Sequence, residues 1–194
     1  MKRTFLLLLF SGVIFLPNCT RCRCPEIEDP YFDISNIQTG HISTMSGFVN
    51  LDKPIAKHEY AGIALSLEVE YLASMSFTNP FIHSAMACSC PEPGDLGAKN
   101  ERFESIVVTT VNDFNQDIQA GDTITGLFSI RADLDTTTID AFIDGQEENI
   151  RTQWYELYLN AEPDNDTLGF EVEVQVTLSN GETYTKRTGA VFFQ

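Results

Sequence analysis

The chain has 194 residues, 28 acidic side chains against 12 basic ones, and a net charge of −16 at pH 7. So acidic a surface repels nucleic acid and anionic lipid headgroups, which are held through clustered Lys and Arg, and the sequence contains no basic cluster. At 43% hydrophobic residues the body can bury a core, which excludes a disordered chain, and its length suits one domain.

The first element, residues 1–18, is a secretory signal peptide. Lys2 and Arg3 supply a positive start, and Thr4 to Leu16 is an almost unbroken apolar run, too short to span a bilayer comfortably. Cys19 follows three residues after Leu16, which is the arrangement of a lipobox. The expectation is cleavage before Cys19, acylation of that cysteine with palmitate, and attachment to a membrane through this N-terminal lipid. An ordinary signal peptide with Cys19 as one more disulfide cysteine, or an uncleaved anchor, are the alternatives. Losing the leader, with its two bases and no acid, takes the net charge to about −18.

Residues 19–30 form a lipidated tether, short, polar and twice interrupted by proline. Beyond it, strand-like runs alternate with turn residues through a single domain, 31–194. The predicted strands are 31–38, 60–74, 103–111, 123–131, 155–159, 170–178 and 183–193. Ile63, Leu65, Leu67, Val69 and Tyr71 alternate with Ala64, Ser66, Glu68 and Glu70, and Phe170, Val172, Val174, Val176 and Leu178 alternate with Glu171, Glu173, Gln175 and Thr177. A period of two marks a strand with one wet face. Ser179-Asn180-Gly181-Glu182 supplies Asn-Gly for a tight hairpin turn. Thr138 to Ile150 breaks the pattern, with Ile139, Phe142 and Ile143 at helical spacing, Thr138 as a cap and Gly145 as an interruption. Seven or so short strands and at most one short helix predict an all-β fold, an antiparallel immunoglobulin-like β-sandwich, with a small barrel as the alternative.

Cys22-Arg23-Cys24-Pro25-Glu26 recurs as Cys88-Ser89-Cys90-Pro91-Glu92. In an exported, oxidising setting Cys22, Cys24, Cys88 and Cys90 are expected to form two disulfides between the pairs, 22–88 with 24–90 or 22–90 with 24–88. Closing a loop of about 66 residues stabilises by up to roughly 4 kcal/mol in the chain-entropy model. A four-cysteine zinc site is a second reading, although one residue between paired cysteines is fewer than zinc usually takes. A redox-active pair is a third.

No other motif carries recognisable chemistry. His41, His58 and His83 lie in no metal-ligand spacing and are expected on the surface or in loops. Glu147-Glu148 and the run Glu162-Pro163-Asp164-Asn165-Asp166 are paired acids. The second has carboxylates for calcium but reads first as a solvated acidic turn. Trp154, Tyr155 and Tyr158 are candidates for a sugar-stacking platform. Alternation puts Trp154, Glu156 and Tyr158 on one face and Tyr155 and Leu157 on the other, and core packing or edge cover is the expected role.

With the lipobox, Ala87-Cys88-Ser89-Cys90-Pro91-Glu92-Pro93-Gly94 and the run Glu104 to Asn115 in view, the chain resembles small lipoproteins of Bacteroidota-type bacteria grouped as domains of unknown function. They are similar in their cysteine–proline–glycine loop, a strand ending near Asp-Phe, and an Ala-Gly-Asp turn, here Ala120-Gly121-Asp122. The resemblance covers the lipobox and roughly residues 85–130, and it implies location and lineage but no activity. It also implies that the acidic Glu26-Ile27-Glu28-Asp29 is a signal for the cell surface. By the same resemblance, Asp122-Thr123-Ile124, Asp135-Thr136-Thr137 and Asp166-Thr167-Leu168 are sites of O-glycosylation.

The expected protein is therefore a non-enzymatic binding or structural module of the cell envelope, lipid-anchored and on the outer membrane, with no cofactor. Its partners are the membrane and an envelope or extracellular ligand, not nucleic acid. The rivals are an envelope hydrolase using carboxylates and a metal-handling lipoprotein using Cys22, Cys24, Cys88 and Cys90.

Overall fold

The computed structural model describes residues 27–45, 47–73, 91–132, 135–146, 149–164 and 168–194. The leader, Cys19, Cys22, Cys24, Cys88, Cys90, His83, the Glu147-Glu148 pair and Asp166 lie outside the described residues.

Among the described residues nine strands follow in order: β1 Phe32–Ser43, β2 Gly47–Phe48, β3 Tyr60–Tyr71, β4 Phe103–Thr110, β5 Phe128–Ala132, β6 Asp135–Thr138, β7 Trp154–Leu159, β8 Val172–Leu178 and β9 Thr183–Arg187. An α-helix, α1 (Ile139–Asp144), lies between β6 and β7. Two antiparallel sheets result, one of six strands in the order β2-β1-β3-β7-β5-β6 and one of three in the order β4-β8-β9. The protein is an all-β sandwich. Its inner strands, β1-β3-β7-β5 against β4-β8-β9, follow the ABED/CFG order of an immunoglobulin constant-type domain, with β2 and β6 added at the two edges of the larger sheet.

The alternating runs fold as their period requires. Ile63, Leu65 and Leu67 of β3, Tyr155 and Leu157 of β7, and Ile130 of β5 point inward to meet Ile106 and Val108 of β4 and Val172, Val174 and Val176 of β8. Each such side chain contributes about 1.5–3 kcal/mol by leaving water. β1 inserts a bulge between Ile34 and Asn36, which resets its alternation so that Ile34 and Ile37 both face the core.

Differences from the sequence reading have local causes. β1 runs on to Ser43 rather than stopping near 38, because the bulge and Gly40 hide its periodicity. β2 and β6 are two and four residues long, too short to show a period. Residues 123–131 open with a 3-10 turn at Thr125–Leu127 before β5 begins. In the β8–β9 hairpin only Gly181 takes a positive φ, +88°, and Gly181 N–H donates to Leu178 O at 2.8 Å. The hairpin therefore closes through a three-residue loop with glycine in the left-handed position rather than a two-residue Asn-Gly turn. β9 ends at Arg187: Thr188 N–H still donates to Val172 O at 2.9 Å, but Val172 N–H donates to the Thr188 hydroxyl at 3.1 Å in place of a backbone carbonyl. α1 starts as its sequence predicts, with Thr138 Oγ1 accepting from Ala141 N–H at 3.3 Å, and it ends at Gly145.

Candidate functional site

The outer face of the six-stranded sheet carries the main candidate. A second bulge, between Ile42 and Ser43 of β1 and facing Ala61-Gly62 of β3, brings Ile42, Ala61 and Ala64 together as a small apolar floor. Small residues keep this floor low. Gly40 lies beneath the Phe48 ring, and a Cβ there would come within 3.2 Å of it. Aromatic side chains form the walls. Phe48 comes from β2, and Trp154 and Tyr158 from β7. Phe48 is 61% exposed and Trp154 40%, and their rings meet edge to face with centroids 5.3 Å apart at 86°.

Two hollows flank Glu156 and Trp154. One, of about 270 Å³, lies over the apolar floor between Phe48 and Tyr158; the other, of about 240 Å³, lies between Arg131, Thr152 and Trp154. A hydrogen-bonded trio stands between them. Tyr158 O–H donates to Glu156 Oε2 at 2.5 Å, and Arg131 Nη1 donates to Tyr158 Oη at 3.0 Å and lies 3.4 Å from Glu156 Oε2. The bond to Glu156 and partial burial raise the Tyr158 pKa, so the phenol stays protonated. The bond to Tyr158 and the nearby charges hold Arg131 charged. The trio presents donors and an acceptor in fixed positions beside a half-exposed indole. It contains one carboxylate, so it lacks the acid pair that carboxylate hydrolysis needs.

His41 and Glu101 are buried elsewhere in the fold. His41 is 3% exposed, on the inner face of β1. Its Nε2–H donates to Gly189 O at 2.6 Å, and its Nδ1 accepts from Tyr60 O–H at 2.7 Å, an arrangement that fixes one neutral tautomer. Burial lowers its pKa to about 4, and burial also holds the Tyr60 phenol protonated. The expectation of a surface histidine fails here, because Tyr60 and the Gly189 carbonyl satisfy both ring nitrogens and make burial affordable. His58 is exposed, as expected.

Glu101, also 3% exposed, accepts from Asn180 Nδ2 at 2.8 Å. Burial, then the Asp33 carboxylate beside it, push its pKa up to about 7. This is the one pair of interacting carboxyls among the described residues whose proton is held near neutral pH. The Glu101 carboxyl is enclosed at the junction of β1, β4 and β9, and neither hollow reaches it.

The aromatic candidates divide by face. Tyr155 packs in the core against Phe103 and Phe142. Trp154 and Tyr158 instead wall the outer groove, Trp154 half-exposed and Tyr158 packed on the buried Ile42, Ala61 and Ala64 cluster. Alternation had placed them correctly, together with Glu156. Phe48, Gly40 and Arg131 went unnoticed. Arg131 follows the outward alternation Ser129, Arg131 against Phe128 and Ile130, which is a legible signal. Phe48 sits in a two-residue strand and carries none. Of the candidate glycosylation threonines, Thr123 and Thr136 are exposed and Thr167 lies outside the described residues. Among the described residues no cluster of three or more His, Cys, Asp or Glu could hold a metal ion, and no helix is long and apolar enough to cross a membrane. No family model, curated protein or solved structure matches this chain.

Proposed function

We propose that the protein is a lipid-anchored binding module of a bacterial cell envelope, without catalytic activity, that presents the outer face of its larger sheet to a ligand. The lipobox ending at Cys19 supports the anchor, and the resemblance of the chain's motifs to small Bacteroidota-type lipoproteins supports the lineage and an outer-membrane location. The observation that carries the binding role is the groove between Phe48 and Tyr158. A half-exposed indole and a pre-bonded Glu156–Tyr158–Arg131 trio lie there on the solvent side of the sheet, outside the main core. β-Sandwiches serve many functions through sites of this kind rather than through the fold itself.

The Asp33–Glu101 pair is what a hydrolase reading would use. Glu101, whose proton is the one held near neutral pH, is buried although Asp33 is exposed, and this speaks against that reading, since a general acid must reach the proton's destination. A metal-handling role rests on Cys22, Cys24, Cys88 and Cys90 alone, and zinc content after purification without chelator decides it.

The anchor and the address are tested together. Metabolic labelling with radioactive palmitate marks the wild-type chain and not Cys19→Ala. Protease shaving of intact cells then releases peptides of the 31–194 domain. Labelling that survives in Cys19→Ala overturns the anchor, and full protection until the cells are permeabilised overturns surface display.

A further inference from the structure

The geometry points to a neutral, polyhydroxylated ring chain, a hexopyranose polysaccharide, as the ligand of the Phe48–Trp154–Tyr158 groove. The inference rests on the reading of this chain as a binding module and names the ligand class for the same site.

Four features of the groove argue for it. First, the edge-to-face pair of Phe48 and Trp154 makes a corner of two ring surfaces at nearly a right angle, open to solvent. The apolar face of a pyranose, where its C–H bonds project, is a flat partner for such a ring and leaves the hydroxyls at its rim free. Second, the groups at that rim are fixed before any ligand arrives. Glu156 accepts, Arg131 donates, and Tyr158 locks the two together, so little side-chain entropy is lost when a hydroxyl is bound. A few well-placed polar groups beside aromatic surface is the pattern of a small-ligand site.

Third, the charges select against other ligands. Arg131 is offset by Glu156, and the whole chain carries −16, so the groove offers no excess positive charge to a phosphate, sulfate or uronate. Fourth, the shape excludes two further classes. Both hollows are open and smaller than the roughly 300 Å³ at which enclosed small-molecule pockets begin, so a compact apolar ligand finds no burial. A protein partner needs about 800 Å² on this side. Outside the aromatic strip the same sheet face carries Gln38, Ser66 and Glu68, with Gln38 and Glu68 hydrogen-bonded to each other. The strip is thus narrow, and its two hollows lie side by side across Trp154, as consecutive rings of one linear chain require.

Trp154 is the only tryptophan in the sequence, so its fluorescence reports the site directly. The test titrates the full-length detergent-solubilised protein with amylopectin, laminarin and yeast mannan, with polygalacturonate as the anionic control. It reads Trp154 emission and retardation in polysaccharide-containing native gels. At least one neutral polymer is expected to shift the emission and retard the protein, while polygalacturonate does neither. Phe48→Ala, at a largely exposed position in the edge strand β2, weakens that binding about tenfold. Glu156→Gln weakens it as well, and Trp154→Ala abolishes the retardation.

Retardation that persists unchanged in Phe48→Ala and Trp154→Ala overturns the groove as the site, and failure with every neutral polymer overturns the ligand class. A photo-crosslinking residue at position 48 in intact cells separates the two levels of the reading. A discrete protein adduct leaves the binding module standing with a protein as its ligand. Absence of any adduct, glycan or protein, removes the binding role itself.

Discussion

Gly62 shows how a single residue shapes both the fold and the groove. It sits in the β3 bulge with φ at +149°, a backbone conformation that side-chain-bearing residues rarely adopt. A Cβ at this position would lie 2.0 Å from Leu157 O on β7. Nothing flexible can yield, because the obstacle is the backbone of the neighbouring strand. Gly62→Ala must therefore push β7 away from β3 or break the β3–β7 ladder. The expected loss of stability is about 3 kcal/mol, combining backbone strain with overpacking. Urea denaturation reads it as a lower midpoint at unchanged slope. Trp154 and Tyr158 ride on β7, so Trp154 emission in the folded variant shifts too. An unchanged midpoint would show that the bulge accommodates a side chain.

At the scale of elements, legibility followed the length and regularity of the pattern. β8 could be read because it exposes one wet face over its seven residues, and β3 because large apolar residues alternate with small or charged ones, although both faces of residues 61–65 are buried. α1 could be read from its cap and the spacing of Ile139, Phe142 and Ile143. β2 and β6 could not, since their pairing is dictated by β1 and β5 and not by their own residues. The candidate site was half legible for the same reason. Trp154, Glu156 and Tyr158 share one face of one strand, whereas Phe48 and Gly40 reach the groove only through the antiparallel pairing of β1 with β2. The burial of His41 is not legible in the sequence, because its partner, the Gly189 carbonyl, is 148 residues distant. The cap gives an element-scale prediction. Thr138 Oγ1 satisfies the Ala141 N–H, one of the unpaired donors of the first turn. Thr138→Ala is expected to cost about 1 kcal/mol, and Thr138→Ser or Thr138→Asp to restore most of it, in the same denaturation assay. Equal stability of the alanine and aspartate variants would deny the cap any role.

For the whole molecule, the two buried titratable groups pull stability in opposite directions with pH. His41 has a native pKa of about 4 against 6.5 when unfolded. Between those values the unfolded chain holds more protons, so His41 makes stability rise with pH, by on the order of 3 kcal/mol across the window. Glu101 has a native pKa of about 7 against 4.5. There the native state holds more protons, so Glu101 makes stability fall as pH rises from 4.5 to 7. The groups sit near opposite ends of β1, with His41 on the strand itself and Glu101 beside Asp33. His41 lies eight steps along the strand from Asp33, roughly 25 Å, so their effects add. The windows overlap between pH 4.5 and 6.5, and there the wild type is expected to show a shallow profile from two steep, opposed ones. His41→Gln keeps an acceptor for Tyr60 and a donor for Gly189 but cannot titrate, so its stability falls from pH 4.5 to 7. Glu101→Gln keeps the bond with Asn180, removes the other slope, and leaves a protein that gains stability from pH 4 to 6.5. Urea denaturation followed by Trp154 fluorescence at half-unit pH steps measures both. The opposed slopes belong to these two side chains only if each variant steepens the profile in its own direction, and a wild-type profile in either variant assigns the pH dependence elsewhere.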